Sequence, residues 1–211
     1  MHIITTLGMA ALAAAAPAVR QAGSLSQSNG FILIAKVTDP SRDLDPSVDG
    51  MPLSAIHTGA ALNAAVLWSS GRVFYQNGTA EQAQLKQTTI ITDAVMPGFP
   101  FGIYVQGPAE PRDIISINVG SGTYNIIAES DAPAMANGLG SGTYLACNAT
   151  VPYYQRKFIT LQYAYDPATD IPAECAPIAL VPQCATLDEL PEDSHSSHEF
   201  VQQVPCYEEG V

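Results

Sequence analysis

Short apolar segments of five to eight residues, each bounded by turn-forming residues, recur along the whole chain and leave little room for any class but all-β. They run over 31–38 (FILIAKVT), 62–69 (LNAAVLWS), 72–76 (RVFYQ), 88–95 (TTIITDAV) and 101–106 (FGIYVQ). They continue over 113–119 (DIISINV), 123–129 (TYNIIAE), 143–150 (TYLACNAT), 158–165 (FITLQYAY) and 176–181 (APIALV). Phe101, Ile103 and Val105 alternate with Gly102, Tyr104 and Gln106, the period of a strand with one buried face. FILIA is apolar on both faces, which makes that strand central. Helical periodicity is scarce: only 57–68 (HTGAALNAAVLW) can begin a short helix, and 185–193 (ATLDELPED) a last turn. The expected fold is a single-domain antiparallel β-sandwich or barrel of about ten short strands with little helix.

The pentapeptide GSGTY occurs twice, at 120–124 and 140–144. A Gly-Ser-Gly can cradle a phosphate or present a nucleophile, but each copy runs into an apolar segment. The glycines are therefore read as turn positions that need no Cβ, followed by strand-forming Thr and Tyr.

Residues 1–18 read as a secretory signal peptide, with an apolar run from Ile3 to Ala16 and cleavage after Ala18. That run is shorter than the roughly 20 residues a membrane helix needs. Residues 19–187 are expected to form the secreted all-β domain. Four cysteines on an oxidising route imply two disulfides among Cys147, Cys175, Cys184 and Cys206. If CAPIALVPQC is a straight strand, Cys175 and Cys184 lie about 30 Å apart, against about 5.5 Å for a bridge. Direct pairing between those two is excluded on that geometry; Cys147 then joins one of them and Cys206 the other. Two sequons, at Asn77 and Asn148, fit N-glycosylation.

Residues 1–157 hold all 8 Lys and Arg against 10 acids, whereas 158–211 hold 10 acids and no base. Such a chain, at net charge −12, repels nucleic acid and anionic membrane, so neither is expected as a partner. After Leu187 the sequence is polar and acidic, and 188–211 is expected to be a solvated tail, dispensable except where Cys206 ties it back.

The stretch NGFILIAKVTDPSRDLDPSVDGMPLSAIHTGAALNAAVLWSSGRVFYQNGT, followed by YLACNATVPYY and IALVPQC, resembles an uncharacterised family of small secreted proteins of filamentous fungi, a domain of unknown function. The resemblance covers residues 28–207. It implies secretion and fungal origin, and brings no activity or site residue with it.

Constellations able to carry chemistry are few. No G-x-S-x-G pentapeptide is present, which removes the α/β-hydrolase elbow. His195 and His198, with Glu192, Asp193 and Glu199 nearby, have donors for zinc or copper, but the Ser-rich acidic surroundings favour a solvated segment. Asp39, Asp43, Asp45 and Asp49 cluster as calcium ligands do; beside Pro40 and Pro46 they serve turns equally well. Glu110, Asp113, Glu129 and Asp131 are the candidates for a glycosidase pair, a function set by spatial separation. No cofactor motif is present. Nine tyrosines, among them Tyr104, Tyr153, Tyr154, Tyr163 and Tyr165, offer either cross-strand packing or a sugar-stacking surface; Trp68 is read as core. His57, the histidine inside the folded body, is the leading binding residue, with Asn63 as its polar companion.

The reading is a secreted, monomeric glycoprotein of unknown activity that acts as a non-catalytic binding module at a cell wall or surface, for carbohydrate or a cell-surface protein. The alternative is a secreted hydrolase of unrecognised type.

Overall fold

The structure, a computed structural model, describes residues 23–94, 98–105, 112–129, 135–137, 142–166 and 171–208. The signal peptide expected over 1–18 lies outside them, as do Glu110 and Asp131. In chain order the strands are β1 Leu25–Ser28, β2 Gly30–Val37, β3 Leu53–Gly59, β4 Leu62–Leu67, β5 Tyr75–Asn77, β6 Thr89–Ala94, β7 Phe99–Tyr104 and β8 Arg112–Ile114. They continue with β9 Ser116–Val119, β10 Ile126–Ala128, β11 Met135–Asn137, β12 Thr143–Val151, β13 Arg156–Ala164, β14 Cys175–Ala185, β15 Val201–Gln202 and β16 Val204–Tyr207. Helix is confined, among the described residues, to a 3-10 turn at Pro40–Arg42 and to α1, Ala80–Gln84, whose N-terminus is held by a capping box between Thr79 and Gln82.

Fourteen strands form one sheet in the order β1-β16-β14-β12-β13-β4-β9-β7-β6-β5-β15, with β2 on β14, β3 on β4 and β8 on β13; β10 and β11 pair separately. Isolated bridges from Phe31 to Phe74 and from Ile34 to Pro52 tie β2 to the residues flanking β5 and β3. The sheet thus folds back on itself around a single core. Its interior is the alternate set the sequence pattern marks: Phe31, Leu33 and Ala35 of β2, Ala65 and Leu67 of β4, Phe101 and Ile103 of β7. β2 is buried on its other face too, at Ile34.

The all-β expectation holds, with more and shorter strands than the ten expected. The segment 113–119 is broken at Ile115 into β8 and β9, and β1, β3, β11, β15 and β16 carry too little apolar sequence to announce themselves. The stretch from His57, the one place where a helix was anticipated, is the β3–β4 hairpin instead. Gly59 pairs with Leu62, so the connection is Ala60-Ala61, with Ala61 at φ 61°. Two alanines give none of the Asn-Gly signal that usually betrays a two-residue hairpin.

The disulfides are Cys147–Cys175 and Cys184–Cys206. Cys147 and Cys175 sit opposite each other in the β12–β14 register, with Cα atoms 4.1 Å apart. Cys175 and Cys184 lie in the same extended strand, β14, which is why they do not pair. The bridges close spans of 28 and 22 residues, each contributing about 3 kcal/mol through the entropy of the unfolded chain.

The acidic segment after Leu187 lies on the surface, with no residue of 188–203 buried, yet it is tied to the sheet at defined points. The carbonyl of Gly98 accepts from the N–H groups of His195 and Ser196 and from the hydroxyl of Ser194. His195 stacks on Phe99 at 4.4 Å, and His198 binds Asp93 at 2.7 Å. Beyond them β15 pairs with β5, and β16 joins both β1 and β14, burying Val204 and Cys206. The segment attaches through backbone groups and two aromatic contacts, none of which leaves a hydrophobic pattern in the sequence.

Candidate functional site

Five aromatic rings stand in succession along the outside of the sheet. Two come from the hairpin between β12 and β13. Pro152, with its fixed φ, occupies the second position of a turn closed by the Tyr154 N–H donating to the Val151 carbonyl at 3.0 Å, and Gln155, at φ 52°, takes the left-handed position that returns the chain. Hairpin tips ordinarily carry Gly, Asn or Asp; this one carries Tyr153 and Tyr154, 58% and 39% exposed.

From there the rings form a ladder. His57 on β3 meets Tyr153 edge to face at 5.5 Å, Tyr153 meets Tyr154 at 5.0 Å, Tyr154 meets Phe158 at 5.3 Å, and Phe158 meets Trp68 at 5.9 Å. Phe158 is buried, and with Val66, Val151 and Ile56 it forms a small cluster separate from the main core, so the exposed rings stand on their own foundation. The guanidinium of Arg156 lies 4.5 Å from the Phe158 ring centre and 5.9 Å from that of Tyr154, within cation–π range.

Trp68 is 44% exposed, which corrects its assignment to the core. Ala65 and Leu67 of β4 point inward; Trp68 shares the opposite face with Val66, one residue past the strand end, where it packs on Phe158. Tyr163 and Tyr144 pack together inside the core as the cross-strand reading of the tyrosines has it.

His57 and Asn63 face each other in the β3–β4 register. Their roles diverge. The Asn63 side chain donates to the Ile117 carbonyl at 2.8 Å, and its N–H is bound by Asn118, so Asn63 fastens β4 to β9. His57 is exposed and heads the ladder.

The remaining candidates have local occupations. Asp39 accepts from Ser41, which holds its carboxyl below the ordinary range. Asp43 accepts from Ser47, Leu44 and Val48, and Asp49 from the Val37 N–H and Lys36. These contacts are turn chemistry. His195 and His198 turn to different partners, and the described residues contain no group of three or more ligands for a metal. Asp93 is fully engaged: one oxygen accepts from the Tyr75 hydroxyl at 3.1 Å, the other binds His198. Burial, with Asp93 beside it, pushes the Tyr75 phenol well above its ordinary range and keeps it a donor. A recess of about 210 Å³ beside this group is lined by Arg72, Asp93, Asp188 and Glu189. The Ser196 hydroxyl is buried without a hydrogen bond to either imidazole. Glu129 pairs with Lys86.

Fold and site together define a class: a disulfide-stapled all-β protein presenting an aromatic ladder. The chain belongs to the family described as Domain of unknown function (DUF7907), whose match spans residues 28–184. It is 39% identical over 196 residues to "Antigenic protein SchS34" of Stachybotrys chartarum, covering 87% of this chain and 88% of that protein. The family resemblance read from the sequence is thus borne out. No solved structure matches the chain.

Proposed function

We propose that the protein is a secreted glycoprotein that acts as a non-catalytic binding module at a cell wall or surface, with the aromatic ladder as its contact face. The ladder carries this reading. Tyr153, Tyr154 and Trp68 each keep a large share of their ring in water, and burying that share against a partner contributes up to about 1.5–3 kcal/mol per ring. Two disulfides favour an oxidising compartment, and the antigenic description of the Stachybotrys relative is in keeping with exposure outside the cell.

Retention on insoluble cell-wall material tests the proposal. Tyr153→Ala combined with Tyr154→Ala is expected to weaken retention at least about tenfold, with a cooperative unfolding transition retained and only a modest fall in its midpoint from the lost packing on Phe158. Tyr124→Ala serves as the control, an exposed tyrosine outside the ladder. Equal retention of the parent and the double variant counts against the contact face; hydrolysis of a polysaccharide or ester substrate by the parent counts against the non-catalytic role.

For the glycan, Asn148 is the stronger acceptor. It is exposed on β12, whereas Asn77 is half-buried in β5 between β6 and β15, and the Thr79 hydroxyl of its sequon is occupied in the cap of α1. Asn148→Gln should abolish most of the mobility shift produced by endoglycosidase on protein from a eukaryotic host. An undiminished shift in that variant assigns the glycan to Asn77 instead.

A further inference from the structure

Most cations of this acidic chain are already committed. Among the described residues Lys36 and Lys86 pair with carboxylates, Arg42 donates to backbone carbonyls, Arg112 donates to the Cys175 sulfur, and Arg72 is half-buried. The two exposed cations among the described residues without a carboxylate partner are Arg156 and Lys157, adjacent in sequence at the start of β13. Arg156 lies directly over the ladder; Lys157, next along the strand, points to the other face and adds to the local field.

We propose that the ladder and Arg156 form the binding site for a single soluble glycan chain bearing carboxylates, that is, a uronic-acid polymer. This rests on the binding reading above and names its ligand class. Sugar rings pack on Tyr153, Tyr154 and Trp68, and a carboxylate is held by the guanidinium. The guanidinium carbon of the exposed Arg156 lies 4.5 Å from the Phe158 ring centre, and a guanidinium can grip a carboxylate with two parallel hydrogen bonds.

Ring geometry selects the physical form of the polymer. Successive rings are inclined to one another by 86°, 73°, 58° and 42°, so no flat crystalline surface touches them all. A flexible single chain can follow the twist. Charge selects the composition. The net charge of −12 opposes any polyanion at long range, so a carboxylate is favoured only within a screening length of about 8 Å of Arg156 and Lys157, the adjacent cations of β13.

The test is equilibrium binding of the full secreted chain to soluble polygalacturonate, to the same polymer with its carboxyls reduced, to crystalline chitin and to polyglutamate, at low and at physiological salt. Polygalacturonate is expected to bind, with affinity falling as salt rises. Carboxyl reduction, or Arg156→Gln, should each cost about tenfold, Arg156→Lys less, and Lys157→Gln least, all with unchanged unfolding midpoints. Equal binding of the carboxyl-reduced polymer, still lost in the Tyr153→Ala, Tyr154→Ala variant, overturns the ligand class and leaves the contact face standing. Polyglutamate binding as tight as polygalacturonate and sensitive to Arg156→Gln overturns it in favour of an acidic protein surface. Tight binding to crystalline chitin alone overturns the soluble-chain assignment, and binding to polygalacturonate that survives the Tyr153→Ala, Tyr154→Ala variant overturns the site.

Discussion

Gly102→Ala is expected to cost more than about 3 kcal/mol and to lower the unfolding midpoint by roughly 10 °C. A Cβ built at Gly102 would lie 2.2 Å from the Gly122 nitrogen and 2.4 Å from its Cα, closer than any real Cβ contact. Nothing nearby can yield. Gly102 pairs with Ile91 on one side and Asn118 on the other, so β7 is fixed in register from both flanks. The opposing backbone is the Gly-Ser-Gly of the first GSGTY, which crosses β7 at contact distance and is pinned there by the Thr123 N–H donating to Ile103 and by the Thr123 hydroxyl bonded to Val105. Gly122 itself is at φ 83°, so an alanine there is strained by conformation as well as by contact. Gly50→Ala separates the two causes: it has a φ of 81° but open space around it, and its cost should be about 1 kcal/mol. If the two variants unfold at the same temperature, the crossing is not what requires Gly102.

The crossing shows where sequence reasoning stops. That GSGTY needs glycines is legible from the turn chemistry. That the first copy needs them twice over, once for φ and once to let two backbones touch, depends on which strand lies beneath it, a fact of tertiary register. In the second copy Thr143 does open a strand, and Gly142 abuts the Ala164 carbonyl and the Tyr163 ring; in the first, the strand waits until Ile126. The strand class, the two-faced burial of β2 and the exclusion of a Cys175–Cys184 bridge were all legible, because each follows from period-two geometry along a single segment. The ladder was half legible. Tyr153 and Tyr154 are among the tyrosines that offer either cross-strand packing or a stacking surface, and the sequence does not say which. Trp68 and His57 join them only because β3, β4 and β13 are neighbours, and a periodic apolar run such as the one ending at Trp68 does not say which of its faces stays wet.

Replacing residues 188–203 with a Gly/Ser linker of equal length should lower the unfolding midpoint more than Cys206→Ser does. Loss of the Cys184–Cys206 bridge costs about 2–5 kcal/mol, mostly by releasing the unfolded chain. The linker keeps that bridge and removes the native contacts of the acidic segment. The His195 stack on Phe99 goes outright, and the backbone bonds to the Gly98 carbonyl and between β15 and β5 lose the side chains that hold them in register and must be made by a more flexible chain. The Gly78 carbonyl loses the Gln202 amide that donates to it at 2.7 Å. Asp93, half-covered, is left without His198. Each net hydrogen bond contributes about 1 kcal/mol, and a partly buried group stranded without its partner costs about 1–3 kcal/mol, so the contacts together outweigh one bridge. His198→Ala isolates the largest single share, at about 1–2 kcal/mol, since it strips one acceptor of its partner and uncovers the Tyr75 ring. Thermal unfolding of the three variants decides the matter: a linker variant as stable as the parent would mean that the acidic segment rests on the sheet without holding it together.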